Sequence, residues 1–150
     1  MKKIVKVVAI LLALCCIASV LGACVDKFDS SLKNMNETVE RKIITDFVAA
    51  HSEDAYPVSE DEVSLRVYGA FDGVYVLFVD VAGWAYTEAI QTEVVAGVTF
   101  VYSCGQTLKV YCDGVFYSLA DAYENSVISL ANLRTVQRTY KSAHSYLYKN

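Results

Sequence analysis

A tight reversal between two strand-like runs constrains the fold of this chain more than any other feature. From Val63 to Phe71 apolar residues tend to alternate with polar ones, as in a strand with one buried face. Asp72-Gly73 follows, and an Asp-Gly pair favours a two-residue type I′ turn because both central positions need positive φ. The next run, Val74 to Val81, is rich in β-branched and aromatic residues. These runs predict an antiparallel hairpin at the centre of a sheet.

Helices are expected before and after this hairpin along the chain. Asn36 can cap a helix over residues 36–52, because apolar residues recur there at helical spacing. After the strands, a helical turn is expected over residues 119–124. Ser129 can cap a final helix over residues 130–146.

Turn residues divide the segment between the hairpin and the final helices. Ala96-Gly97 is interpreted as a kink, Cys104-Gly105 as the tip of a second hairpin, and Asp113-Gly114 as a further turn. The strands are expected at residues 88–95, 98–103, 107–112 and 115–117.

This order of elements predicts an α+β domain over residues 36–148. We expect an N-terminal helix, a four- to five-stranded antiparallel, meander-like sheet, and C-terminal helices packed on one face. Cystatin-like folds share the order, an analogy of fold that carries no function. The residues expected in the core include Phe47, Val67, Val76, Phe100 and Val110.

The first 23 residues read as a secretion signal. Residues 1–6 carry three lysines and no acid, and residues 7–23 are apolar or small. Leu21-Gly22-Ala23-Cys24 resembles the lipobox of bacterial lipoprotein precursors, which implies that Cys24 receives lipid and becomes the new N-terminus. Residues 24–35 would then form a tether to the extracytoplasmic face of the cell membrane. An uncleaved membrane anchor and cleavage without lipid are the alternatives.

The charge of the processed chain bears on its partners. Cleavage removes three of the thirteen basic residues and leaves all seventeen acids, for a net charge of −7. A domain this acidic is repelled by phosphate backbones. We therefore expect no nucleic-acid partner.

Four pieces of the sequence resemble an uncharacterised small extracytoplasmic domain of Gram-positive, largely gut-dwelling bacteria. They are VYGAFDG at residues 67–73, VAGVTFVYS at 95–103, KVYCDGVFYSL at 109–119, and a helix pair that carries Ala122-Tyr123-Glu124 and Leu133. The resemblance implies an α+β fold and brings no catalytic residues, since its recurring residues are glycines, aromatics and turn formers. Ser126 stands where that group tends to have glycine, so Asn125 is expected to take the left-handed helix cap.

The sequence offers no clear catalytic or metal-binding set, and we expect no cofactor. His51 and His144 match no metal motif and are interpreted as exposed helix-end residues. A Cys104–His51 nucleophile pair is a minor alternative, because Cys104 lacks the surroundings that activate a thiol. A solvated acidic loop is favoured over weak calcium binding for Glu53, Asp54, Glu60, Asp61 and Glu62.

Two cysteines remain in the domain after processing. The second hairpin would place Cys104 and Cys112 at opposite ends of one strand, too far apart for a disulfide. Both thiols are therefore expected to be free.

Trp84 and Tyr86 are the candidate binding residues. They lie in the connection after the first hairpin, where aromatic side chains can anchor a protein or a glycan. A lid over the core is the equally weighted alternative, because tryptophan is usually mostly buried. The leading hypothesis is a non-catalytic, lipid-anchored binding module outside the cell. The alternatives are an inhibitor of a secreted enzyme and a small hydrolase acting on envelope polymers.

Overall fold

The computed structural model describes residues 35–87, 89–103 and 105–149. The predicted signal segment, Cys24 with nearly all of the tether, and Cys104 lie outside the described residues. Within the described part of the chain, no helix is long and apolar enough to cross a membrane.

The central hairpin forms where the sequence predicts it. Strands β1 (Val63–Phe71) and β2 (Val74–Val81) pair antiparallel, with Phe71 opposite Val74. Asp72 and Gly73 have φ of 46° and 82°, the left-handed pair that a type I′ turn requires.

An α+β fold is confirmed by the remaining elements. A four-stranded antiparallel sheet has the order β1-β2-β5-β6, and β3 and β4 form a separate two-stranded sheet. The other elements are α1 (Glu37–Ala50), β3 (Gln91–Val95), β4 (Val98–Tyr102), β5 (Lys109–Cys112), β6 (Val115–Ser118), α2 (Leu119–Glu124) and α3 (Leu130–Ala143), with short 3₁₀ helices at Glu60–Glu62 and Ser145–Tyr148.

The predicted hairpin between residues 98–103 and 107–112 is wrong. Strand β4 pairs with β3 through a tight turn at Ala96-Gly97, and Val95 lies opposite Val98. Ala96 and Gly97 have φ of 50° and 79°, so this pair reverses the chain instead of kinking it. The signal is weak in the sequence because alanine rarely adopts positive φ. Strand β5 instead enters the main sheet beside β2.

The four-stranded sheet is covered on both faces. Helix α1 packs on one face, where Ile43 meets Val67, Leu77 and Tyr111. Helices α2 and α3 and the β3–β4 hairpin cover the opposite face, as predicted for the C-terminal helices. Burial of the five expected core residues is confirmed: Phe47, Val67, Val76, Phe100 and Val110.

Helix α2 ends in a Schellman motif with Ser126 at its left-handed position. Ser126 has φ of 58° and Asn125 has φ of −88°, so the expectation that Asn125 takes this cap is wrong. The amide of Val127 donates to the carbonyl of Ala122, and the amide of Ser126 donates to that of Tyr123. In a Schellman motif these two bonds require positive φ at the residue that follows the C-cap, which here is Ser126.

Candidate functional site

A groove opens on the α1 face of the sheet, at the C-terminal end of that helix. Its volume is about 480 Å³, within the range of about 300–1,000 Å³ typical of small-molecule sites. Helix α1, the β2–β3 connection and strands β5 and β6 all contribute to its walls. The residues that line it include Phe47, His51, Trp84, Tyr86, Gln106, Lys109 and Phe116.

The last turn of α1 gives the groove an aromatic wall. The ring of Phe47 lies 4.4 Å from that of His51 and meets Phe116 edge-on at 5.7 Å, centroid to centroid. His51 is half-buried, and its Nδ1 lies 2.9 Å from Oδ2 of Asp54. The histidine is therefore held in place by a ring on one side and a carboxylate on the other.

Both predicted binding residues line this groove, and their roles differ. The hydroxyl of Tyr86 accepts a hydrogen bond from the Val81 amide at 2.9 Å and donates to the Val81 carbonyl at 3.4 Å. Tyr86 thus ties the connection back to the end of β2. Trp84 is 41% exposed, with its ring 6.1 Å from Phe47 and 5.8 Å from His51. Trp84 thus lies beside these two rings and stays partly exposed on the groove wall.

Sequence reasoning missed the part of the groove that comes from β5 and β6. Lys109 and Phe116 reach it only because β5 lies next to β2, and Gln106 donates from Nε2 to the Val79 carbonyl at 3.3 Å. The alternation of Lys109 with buried Tyr111 was a signal of their common face. Because the sequence predicts β5 beside β4 and not beside β2, it does not bring these residues to the groove.

His144 does not have the exposure expected of it. It is 4% exposed, and its ring stacks on Tyr140 at 4.3 Å. The 3₁₀ helix Ser145–Tyr148 turns back over the core, where the hydroxyl of Tyr148 donates to the Thr99 carbonyl at 3.2 Å. The helix end is therefore covered by the chain that follows it.

The acidic loop shows no metal-binding geometry. Among the described residues, no group of three or more His, Cys, Asp or Glu side chains is placed to hold a metal ion. The hydroxyl of Ser59 lies 2.6 Å from Asp61 Oδ1 and 2.7 Å from Glu62 Oε1, so its single proton is shared between these two acceptors, and Thr45 donates to Glu60. Hydrogen bonds to hydroxyls thus engage these carboxylates.

Cys112 is half-buried at the end of β5 and forms no disulfide with a described residue. Burial, followed by the charge of Asp113, raises the pKa of this thiol. Cys104 lies outside the described residues, so the proposed absence of a disulfide stays a prediction. The hairpin register on which this prediction rests does not form, because β4 pairs with β3 and β5 pairs with β2.

A second polar cluster joins α1 to β5. Lys42 Nζ lies 2.8 Å from Asp46 Oδ2, and the Tyr111 hydroxyl donates to the same oxygen at 2.5 Å. The hydrogen bond from Lys42, and then that from Tyr111, lowers the pKa of Asp46. Burial, followed by the bond to Asp46, raises the pKa of Tyr111. The cluster joins helix α1 to strand β5 beside the groove.

Replacing Asp46 with asparagine is expected to reduce stability by at most about 1 kcal/mol at neutral pH, because the ion pair is partly exposed. The pKa of Asp46 is lower in the folded protein than its ordinary value of 3.8, so the ionised carboxylate stabilises the fold at pH values above 3.8. This contribution to stability is lost as the pH falls through the lowered pKa. The difference between wild type and Asp46→Asn in urea unfolding should therefore shrink in acid. Asp72→Asn, at an exposed turn, is the control; a difference for Asp46→Asn that does not change with pH would contradict the assignment.

The comparisons with known proteins assign no relative. No family model matches the chain, and no curated protein or solved structure matches it either. The site's own geometry therefore carries the functional argument.

Proposed function

We propose that this protein is a non-catalytic, lipid-anchored binding module on the extracytoplasmic face of a membrane, and that it takes a small ligand in the groove beside Trp84. The observation that carries the proposal is the groove itself, which has the volume of a small-molecule site and an exposed tryptophan on its wall. We also assign the chain to the small extracytoplasmic domains that its motifs resemble.

Regular elements of the fold supply much of the groove wall. Phe47 comes from a helix, Lys109 and Phe116 come from paired strands, and Tyr86 fixes the connection that carries Trp84. Sites on regular elements keep their geometry better than sites on free loops. A preformed groove loses little conformational entropy on binding, which favours a binding role.

Trp84 is expected to be the main contact. Alanine in its place should weaken binding of small aromatic fragments at least about ten-fold, since an aromatic anchor typically contributes more than about 1.4 kcal/mol. Saturation-transfer NMR with a defined fragment set measures this. Tyr56→Ala is the matched control, because Tyr56 is an aromatic residue that is 90% exposed and is not part of the groove wall.

Two results would count against a binding role for the groove. One is a fragment set in which no compound binds the wild-type protein. The other is binding that is unchanged in Trp84→Ala, which would place the bound fragments elsewhere.

The membrane anchor is tested separately at Cys24. Mass spectrometry of the native protein is expected to find a diacylated Cys24 as the first residue, and Cys24→Ala is expected to leave unprocessed precursor. The basis is the apolar run that ends in Leu21-Gly22-Ala23-Cys24. Native protein that still begins at Met1 would rule out the lipid anchor and leave the groove proposal standing.

A further inference from the structure

We infer that the ligand of the groove is a small organic carboxylate with a flat apolar body, and that Lys109 binds its anionic group. The inference rests on the proposed function, because it specifies what the groove beside Trp84 takes.

The position of Lys109 follows from the register of β5. Lys109 and Tyr111 are two residues apart on one strand, so their side chains leave the same face of the sheet. Tyr111 packs against Ile43 of α1 on that face. Lys109 lies on the same face beyond the end of the helix, where it lines the groove.

Lys109 differs from two other cations that the structure describes, Lys42 and Arg66. Lys42 pairs with Asp46, and Arg66 pairs with Asp80. The side chain of Lys109 is exposed and makes no ion pair or hydrogen bond with any described residue. Its ammonium group is therefore available to a ligand.

The described lining of the groove carries a charge opposite in sign to that of the domain. The domain is acidic, yet no described residue that lines the groove is an aspartate or a glutamate. Among the described lining residues, a bound anion would meet Lys109 and no carboxylate. A cationic ligand would meet repulsion from Lys109 and no compensating acid among the described lining residues.

The rest of the groove selects the body of the ligand. Trp84, Phe47 and Phe116 present aromatic surface, against which a flat apolar group packs well. The volume of about 480 Å³ suits one small molecule. Lys109 and the aromatic wall together thus fit a compound with a ring at one end and a carboxylate at the other.

The test compares two ligands of nearly the same size and shape, the anionic 3-phenylpropanoate and the neutral 3-phenylpropanamide. Trp84 is the only tryptophan in the chain, so its fluorescence reports on the groove alone. The carboxylate should bind up to about five-fold more tightly than the amide, the factor that corresponds to an exposed ion pair of about 1 kcal/mol. Added salt should reduce this preference.

Variants assign the preference to one side chain. Lys109→Met keeps the aliphatic stem and should make the two ligands bind equally, whereas Lys109→Arg should keep the preference. Lys141→Met removes the same charge from α3, on the other face of the sheet, and should change nothing. Equal binding of the two ligands to wild type, or a preference that survives Lys109→Met, overturns the inference and leaves the groove proposal intact. A Trp84 signal that neither ligand changes up to its solubility limit overturns both.

Discussion

Replacing Asp80 with alanine is expected to lower the free energy of unfolding by about 3–5 kcal/mol, the usual result of removing one partner of a buried ion pair. Asp80 accepts two hydrogen bonds from Arg66, at 2.6 Å and 3.0 Å. The two side chains are only 17% and 7% exposed, and the guanidinium also lies 4.7 Å from the centre of the Phe78 ring. Without Asp80, the buried guanidinium of Arg66 loses both of these charge-assisted hydrogen bonds. Chemical denaturation at neutral pH measures the loss.

Two further variants separate this explanation from a general effect of losing a charge. The double variant Arg66→Met/Asp80→Leu should recover most of the stability, because it removes both buried charges together. Glu37→Ala breaks the exposed pair with Arg41 and should cost at most about 1 kcal/mol. If the double variant is as unstable as Asp80→Ala, the buried charge is not the cause.

Truncating Tyr140 to alanine is expected to cost about 3–5 kcal/mol, as for other large aromatic residues in a core. Tyr140 is 1% exposed and lies between the two sheets. Its ring meets Tyr68 of β1 at 5.5 Å and Phe100 of β4 at 6.3 Å, and its hydroxyl donates to the Val101 carbonyl at 2.6 Å. One side chain of α3 therefore joins the β3–β4 hairpin to the main sheet.

The controls for Tyr140 divide the effect into packing and hydrogen bonding. Tyr140→Phe keeps the ring and should cost about 1 kcal/mol, the net value of one hydrogen bond. Tyr56→Ala removes an exposed ring and should leave the thermal midpoint nearly unchanged. A Tyr140→Ala protein as stable as Tyr56→Ala would show that the hairpin does not dock on this core.

The elements that local signals define are the ones the sequence predicted well. Asp72-Gly73 gave the central hairpin, because an Asp-Gly turn needs no distant contact to form. Asn36 and Ser129 marked helix starts, and their side chains do accept hydrogen bonds from Thr38 and Asn132. Caps and tight turns are decided within a few residues, so they can be read without knowing the fold.

Strand pairing and burial depend on distant parts of the chain and were harder to predict. Nothing local shows that β5 pairs with β2 across the inserted β3–β4 hairpin. His144 was assigned to the surface because the sequence does not show that residues 145–148 turn back over it. The sequence also does not predict the irregular register between Val67 and Gly69. This irregularity allows the neighbouring residues Val67 and Tyr68 both to be buried.

The candidate site was predicted in part for the same reason. Trp84 and Tyr86 stood out as aromatic residues in a connection between strands, and both line the groove. Phe47 was expected only as a core residue, and Lys109 and Phe116 were not singled out. Their roles in the groove depend on the strand order, which the sequence did not reveal.

The most direct test of the groove as a binding site is a map of amide chemical shifts for the isotope-labelled domain titrated with 3-phenylpropanoate. We expect the largest changes at residues 47–51, 84–87 and 105–109, which surround the groove. Changes centred on α3, on the far side of the sheet, or no changes at any concentration, would contradict the proposal that this groove is where the protein binds its ligand.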